Sequence, residues 1–347
     1  MHEGRKKVNR LRHSKWVKAM GAFALSLALL AGCSSNDSKQ SSSTGTGDGK
    51  EVVVGISQFV EHPSLDEAQR GFRQALKDAG FEEGKNLRYE VHNAQNDMNN
   101  TGPIAQKLVG DKVDLIFANA TPNAMAALSV TEEIPIIFTS VTDPIGAQLI
   151  TAMDQPGPNI TGTTDNHPDA IPNTIKFMDQ YFPGTRVGMI FNAGEQNSVA
   201  QVEMARNALQ GTDLTIVDAT VSTSAEVKQA AESLVGRVDF FYIITDNTVV
   251  SALESVISVA QDNKIPLFVG ELDSVKRGGF AAYGFEYYDI GYEAGEMAVQ
   301  ILKGEKTPEQ LPAKYPQNLK LLINKGAAEA MGVELQGEWE QIAEYYE

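Results

Sequence analysis

From Val52 onward the chain alternates between two hydrophobic patterns. Short, continuous apolar runs recur: Val52-Val53-Val54-Gly55-Ile56, Leu115-Ile116-Phe117-Ala118 and Ile134-Pro135-Ile136-Ile137-Phe138 in one half, then Val187-Gly188-Met189-Ile190-Phe191, Phe240-Phe241-Tyr242-Ile243-Ile244 and Ile265-Pro266-Leu267-Phe268-Val269 in the other. Continuous rather than alternating hydrophobicity suits parallel strands covered on both faces, and Pro135 and Pro266 fall at strand starts, where a missing N–H is tolerated. Between the runs lie helical stripes: Leu65, Ala68, Phe72, Leu76 and Ala79, closed by Gly80; Val199, Val202, Ala205 and Leu209, closed by Gly211; and Val249, Leu253, Val256 and Ala260. Strands alternating with helices predict an α/β protein built from doubly wound parallel sheets.

The two halves share punctuation. Leu108-Val109-Gly110, Asp114, an apolar strand, Thr121-Pro122-Asn123, Ala127-Leu128 and Ile134-Pro135 are matched by Leu234-Val235-Gly236, Asp239, an apolar strand, Thr245-Asp246-Asn247, Ala252-Leu253 and Ile265-Pro266. The pattern is one βαβ block used twice. Two such lobes make a cleft, and in open parallel sheets the ligand sits beyond the carboxyl ends of the strands.

With 347 residues, 42% of them hydrophobic, the chain is too apolar for disorder and too long for one small core. Its net charge of −16 argues against nucleic acid as a partner, because phosphate is met by basic patches. Five scattered histidines and one cysteine leave no zinc framework and no intrachain disulfide, so neither a metal nor another cofactor is expected.

The charge is unevenly placed. Residues 1–32 hold seven basic groups against one acid, followed by an apolar run, Ala19–Ala31, that is shorter than a membrane span. This is the form of an export signal. The run ends in Leu30-Ala31-Gly32-Cys33, which resembles a bacterial lipobox, with cleavage before Cys33 and lipidation of its thiol. Removing 1–32 takes away a net +6 and moves the charge from −16 to −22, so a lipid is needed to hold the protein at an anionic membrane. Residues 33–50, rich in Ser, Gly, Thr and Asp, read as a flexible tether. No strand precedes Gly45-Thr46-Gly47-Asp48-Gly49-Lys50, so it does not qualify as a phosphate loop.

The loops after the strands carry the candidate chemistry. In the first half they hold Gln58, Phe59, Thr121, Ser140, Thr142 and Asp143; in the second, Asn197, Ser198, Asp246, Asn247, Glu271 and Asp273. Thr121, Ser140 and Thr142, near helix N-termini, suit a ligand carboxylate. Asp246, Glu271 and Asp273 suit an ammonium group, and Phe59 offers a ring to stack on. Closing both ends on one molecule selects a zwitterion. The same residue types also serve as ordinary helix caps. His62 beside Glu61 has no second histidine at ligand spacing, and no Gly-x-Ser-x-Gly elbow occurs, so no catalytic residue is assigned.

The segments Gln58-Phe59-Val60-Glu61-His62-Pro63, Ala120-Thr121-Pro122, Thr142-Asp143-Pro144, Asn197-Ser198-Val199, Thr245-Asp246-Asn247-Thr248-Val249 and Asp273-Ser274-Val275-Lys276-Arg277-Gly278 resemble those of an ABC-transporter substrate-binding family with members assigned to tryptophan, tyrosine or phenylalanine uptake. The resemblance runs from about residue 51 to about 333. It implies a type I periplasmic-binding-protein fold with three crossing segments, near 162–168, 284–288 and 316–320. The lobes are then 51–163 plus 285–318, and 164–284 plus 319–347. It also implies an aromatic amino acid as ligand, an ABC permease and its ATPase as partners, and a monomeric, extracytoplasmic protein that is not an enzyme. Residues 334–347 lie past the resemblance, and Trp339, Ile342 and Tyr346 are expected to form one stripe of a terminal helix. The competing readings are a sugar receptor, a sensor for another membrane protein, and an exported enzyme with Asp246 or Glu271 as general base.

Overall fold

The structure, a computed structural model, describes residues 51–347. The expected export signal, the lipidated Cys33 and the tether lie outside the described residues. The first sheet contains β1 (Val52–Gln58), β2 (Leu87–Asn93), β3 (Leu115–Asn119), β4 (Ile136–Val141) and β5 (Ile160–Thr164), in the order β2-β1-β3-β4-β5 and parallel throughout. The second contains β6 (Arg186–Asn192), β7 (Thr215–Val221), β8 (Phe240–Ile243), β9 (Leu267–Val269), β10 (Ala281–Gly284), β11 (Lys320–Asn324) and β12 (Ala343–Tyr346), in the order β12-β11-β10-β9-β8-β6-β7. The helices of the first half are α1 (Pro63–Asp78), α2 (Met98–Gly110) and α3 (Thr121–Leu128). Those that follow are α4 (Ala170–Tyr181), α5 (Gln196–Ala208), α6 (Val227–Leu234), α7 (Asn247–Val250), α8 (Leu253–Asn263), α9 (Leu272–Arg277), α10 (Tyr287–Leu302) and α11 (Lys325–Met331).

The repeated sequence block has a physical counterpart. The runs β2-β1-β3-β4-β5 and β7-β6-β8-β9-β10 wind identically, and each reverses direction at one point, between β1 and β3 or between β6 and β8. The aspartate before the third strand of each block braces the start of the central strand. Asp114 accepts from Val53 N at 2.8 Å, and Asp239 from Arg186 N at 2.9 Å. The prolines ahead of β4 and β9 contribute carbonyls only: Pro135 O accepts from Ile116 N and Pro266 O from Phe241 N, each at 2.9 Å.

The chain passes between the sheets three times: from β5 to α4, from β10 to α10, and from the 3-10 turn Pro308–Gln310 to β11. On its return α10 lies directly against α1. A methyl group at Gly291 would stand 1.9 Å from Ala68 O, and one at Gly71 2.1 Å from Tyr288 O, so only glycine lets these two backbones meet. Among the described residues no helix is long and apolar enough to cross a membrane.

Three expectations need correction. The second sheet is not wholly parallel, because β11 arrives from the other lobe and pairs antiparallel with β10. Val199 is 48% exposed, because α5 turns Ser198 and Gln201 inward ahead of Val202 and Ala205; polar partners at the cleft fix its phase. The terminal segment is not a helix. It makes one 3-10 turn (Gly337–Gln341) and then adds β12 parallel to β11, from Leu321↔Ala343 to Asn324↔Tyr346. Edge pairing takes precedence over the helical stripe, so Ile342 and Tyr346 are exposed and only Trp339 is buried. The Trp339 ring sits 5.1 Å from Phe177, 5.5 Å from Tyr181 and 6.3 Å from Phe280, sealing the aromatic core of the second lobe.

Trp339→Ala is expected to lower the unfolding free energy by about 3–5 kcal/mol, the usual cost of truncating a buried tryptophan. Urea unfolding of the variant beside the wild type measures it, and a loss below about 1 kcal/mol would mean that the tail is an ornament on the lobe.

Candidate functional site

The reversal points of both sheets bring the β1, β3 and β4 loops of the first lobe against the β6, β8 and β9 loops of the second. In the first lobe an amide network sets the loop shapes. The Gln58 amide donates to Asp66 Oδ1 at 2.7 Å and to Val60 O, and its oxygen accepts from Gln69 and Asn119. Asn119 also donates to Leu65 O at 2.8 Å, and Asn123 donates to Ser57 Oγ. Phe59 is buried among Val60, Leu65, Ala94 and Ala120. Asp143 accepts from Gly146 N at 2.8 Å and so braces its own turn.

Against this network three buried hydroxyls stand apart: Thr164 Oγ1 at the end of β5, and one each in β4 and at the start of α3. Thr121 Oγ1 and Ser140 Oγ are buried with no hydrogen-bond partner. Both sit on strained backbone: Ala120, immediately before Thr121, has φ +87°, and Ser140 has φ +55°. Such values are uncommon outside glycine, and structures that hold them cluster at ligand sites. The Ser140 conformation coincides with a register shift between β4 and β5. Thr121 opens α3; Pro122 has no N–H, and the N–H groups of Asn123 and Ala124 are taken by Ala120 O, so the hydroxyl is the polar group this end offers.

The second lobe offers acids. Glu195, fully buried, accepts from Asn247 Nδ2 at 2.6 Å, from Thr248 Oγ1 at 2.7 Å, from the N–H groups of both residues, and from Asn197 Nδ2. Asp246 caps α7 through Val249 N at 2.8 Å, accepts from Asn192 N at 2.6 Å and takes a third bond from Ser198. Its carboxyl is pushed up to about 7, first by burial and then by the neighbouring Glu195 charge. Glu271 accepts from Ser274 at 2.9 Å and from Ser64 at 2.7 Å, and burial pushes it up to about 7 as well. Asp273 pairs with Lys276 at 3.0 Å. Among the described residues no three His, Cys, Asp or Glu side chains converge as metal ligands.

The lobes touch. Ser64 donates to Glu271 and Gln201 Nε2 to Thr142 Oγ1 at 3.1 Å, both across the cleft; Thr248 Oγ1 also comes within 3.1 Å of Asn96 Oδ1, with its one hydrogen directed to Glu195. His62 of the first lobe is buried beside Arg277 of the second. Burial and then that charge hold its imidazole down at about 4, so it is neutral. All the predicted residues lie in these loops, but Gln58, Phe59 and Asp143 are engaged within their own lobe. Sequence reasoning missed Glu195, Gln201, Ser64 and Asp165. Glu195 and Gln201 flank the flagged Asn197-Ser198 pair, and a turn-by-turn helical projection of α5 would have found Gln201.

Two lobes closing on a layer of buried polar loops define a substrate-binding protein of the type I periplasmic fold. Residues 53–345 match the family described as ABC transporter substrate binding protein, and the chain belongs to it. The match includes most of the terminal segment, so residues 334–345 are part of the family's fold rather than an extension beyond it. The chain is 39% identical over 327 residues to the tyrosine-binding protein of Clostridioides difficile, covering 93% of this chain and 94% of that one. It is similar to a Streptococcus pneumoniae ABC domain in complex with L-Trp, with 29% identity, a TM-score of 0.80 and coverage of 85% of this chain and 99% of that one. It is also similar to the ligand-free, open structure of a Clostridium difficile substrate-binding protein with adhesive properties, with 37% identity, a TM-score of 0.63 and coverage of 85% and 99%. The shape follows the ligand complex although the sequence is nearer the open protein, which agrees with the bonds across the cleft in marking this arrangement as closed.

Glu271 yields a pH prediction. Its carboxyl titrates near 4.5 when exposed and near 7 in the fold, so the folded state binds the extra proton and stability contributed there falls as pH rises from about 4.5 to about 7. His62 works in the opposite sense, losing stability as pH falls below about 6.5 toward 4. Glu271→Gln isolates the first effect: its melting temperature is expected to gain on the wild type between pH 4.5 and pH 7.5. A constant gap would show that the carboxyl is solvated.

Proposed function

We propose that the chain is a non-enzymatic receptor that captures an intact aromatic amino acid, L-tyrosine or L-tryptophan, between its lobes and delivers it to an ABC permease with its ATPase. The observation that carries the reading is the pair of unpartnered hydroxyls, Thr121 and Ser140, on strained loops opposite the buried acids of the second lobe. The two hydroxyls, beside the positive end of α3, take the ligand carboxylate, and the acidic lobe takes the ammonium group. The relative named as a tyrosine-binding protein and the neighbouring structure holding L-Trp support this ligand class. Closure is the signal: contacts from both lobes favour the closed state, which the permease reads. The proposal includes residues 51–163 plus 285–318 and 164–284 plus 319–347 as the two lobes, Cys33 as the lipid attachment, and a monomer outside the cytoplasmic membrane. Gln58, Phe59, Thr142, Asp143, Asn197, Ser198, Asp246, Asn247, Glu271 and Asp273 shape or line the cleft.

Equilibrium dialysis with L-tyrosine and L-tryptophan is expected to show one site and ligand recovered unchanged. Thr121→Val and Ser140→Ala each remove a hydroxyl from the carboxylate and are expected to weaken binding by about 1.5–3 kcal/mol, the range for a hydrogen bond to a charged group. Binding indifferent to both, or conversion of the amino acid, would overturn the reading.

A further inference from the structure

One hydrogen-bonded chain runs from the second lobe across the cleft and into the crossing segments. It starts at Thr245, whose N–H donates to Gln201 Oε1 at 3.1 Å and whose hydroxyl accepts from Gln201 Nε2. The other Nε2 hydrogen crosses to Thr142 Oγ1 at 3.1 Å. Thr142 passes its own hydrogen to Asp165 Oδ1 at 2.8 Å, in the first crossing segment. The other oxygen of Asp165 accepts from Tyr287 OH at 2.9 Å, where the second crossing becomes α10. Gln201 and Thr142 are 4% and 3% exposed and Tyr287 is 2% exposed, while Asp165 is half-buried, so the cross-lobe bond itself is sheltered from water. Its donors and acceptors match the capacity of each group: two hydrogens from one amide nitrogen, one hydroxyl that accepts and donates, one carboxylate that accepts twice.

We propose that this relay, from Thr245 through Gln201, Thr142 and Asp165 to Tyr287, is the latch that ties lobe closure to the hinge. Gln201 is a positioning residue in it. Opening breaks the one bond that spans the lobes and leaves an amide hydrogen and a hydroxyl lone pair to water. The Ser64–Glu271 bond also spans the cleft, but it does not continue into a crossing segment. Every link of the relay joins two protein groups, and the Thr142 hydroxyl both donates and accepts within it, so the relay stabilises the closed state by the same amount for either amino acid. A bond made only when closed slows ligand escape and leaves the encounter with the open state unchanged.

The test rests on the ligand reading above and separates from it. The mature chain, Gln201→Leu, Thr142→Val, the double variant and Thr142→Ser are titrated with L-tyrosine and L-tryptophan in stopped-flow and calorimetric experiments. Each of the first two variants is expected to lose about tenfold in affinity, as for one buried hydrogen bond. The loss is expected by the same factor for both amino acids and almost wholly in the dissociation rate. The double variant should be no worse than either single one, because the cross-lobe bond they share can be lost only once and the other bonds of each residue are lost in the open and closed states alike, and Thr142→Ser, which keeps the hydroxyl, should stay within about twofold of wild type. Additive losses, different factors for the two ligands, or slowed association would overturn the latch. Because the two substitutions lie on different lobes, misfolding of one variant leaves the other to decide. If neither amino acid binds the wild type, the ligand reading fails, and the latch is judged on the unliganded chain by X-ray scattering. The wild type is then expected to be more compact than Gln201→Leu, and equal radii of gyration would overturn it.

Discussion

When two α/β lobes close on one another, a layer of carboxylates, amides and hydroxyls leaves water, and each must find a partner or cost about 1–3 kcal/mol. The described residues satisfy most of that layer internally. Glu195 is held by Asn197, Asn247 and Thr248, Asp246 by Asn192, Val249 and Ser198, and Glu271 by Ser64 and Ser274. Thr121 Oγ1 and Ser140 Oγ depart from this economy, as do Thr164 Oγ1, His62 Nδ1 and the amide oxygens of Asn119, Asn123 and Asn197; only the first two lie on or next to strained backbone. Strain and unmet polarity at one place are tolerable when a bound molecule meets the polarity, and the remainder of the fold keeps that place rigid.

Rigidity comes from duplication and from close backbone packing. Each lobe repeats one winding, so both reversal points fall at strand carboxyl ends and face one another by topology. Asp114 and Asp239 fix the central strands, and Gly71 and Gly291 let α1 and α10 meet without intervening side chains. The return of α10 to the first lobe is therefore a packed contact, and the chain leaves that lobe through the crossing segments, where Asp165 and Tyr287 lie.

Continuous apolar runs and paired Leu-Val-Gly and Ile-Pro punctuation were enough to read the alternating lobes, because burial on both faces leaves no freedom in residue type. The same reasoning misplaced Val199 and the terminal segment. On α5 the inward face is chosen by polar contacts with Thr245 and Asp246, which a hydrophobic stripe does not encode. In the tail, an open edge of β11 accepts a strand, and the helical spacing of Trp339, Ile342 and Tyr346 is overridden by backbone pairing. At the site, residue types at loop positions were legible, but their roles were not: Gln58 and Asp143 look like ligand contacts in sequence and serve as braces in three dimensions.

The charge of the closed layer bears on which ligand class it favours. Glu195, Asp246, Glu271 and Asp273 are buried on one side, with Lys276 and Arg277 the nearby cations; Lys276 pairs with Asp273, and Arg277 with the exposed Glu254. Burial pushes Asp246 and Glu271 up to about 7, so near neutral pH each carboxyl is only partly ionised. A neutral sugar would leave that state unchanged. An ammonium group placed among these acids would favour their ionised forms and convert a desolvation penalty into attraction, and a carboxylate at the other end would meet the hydroxyls of the first lobe. A zwitterion therefore suits the layer better than a neutral ligand, and the proposed orientation sets its ammonium group at the lobe that carries the acids.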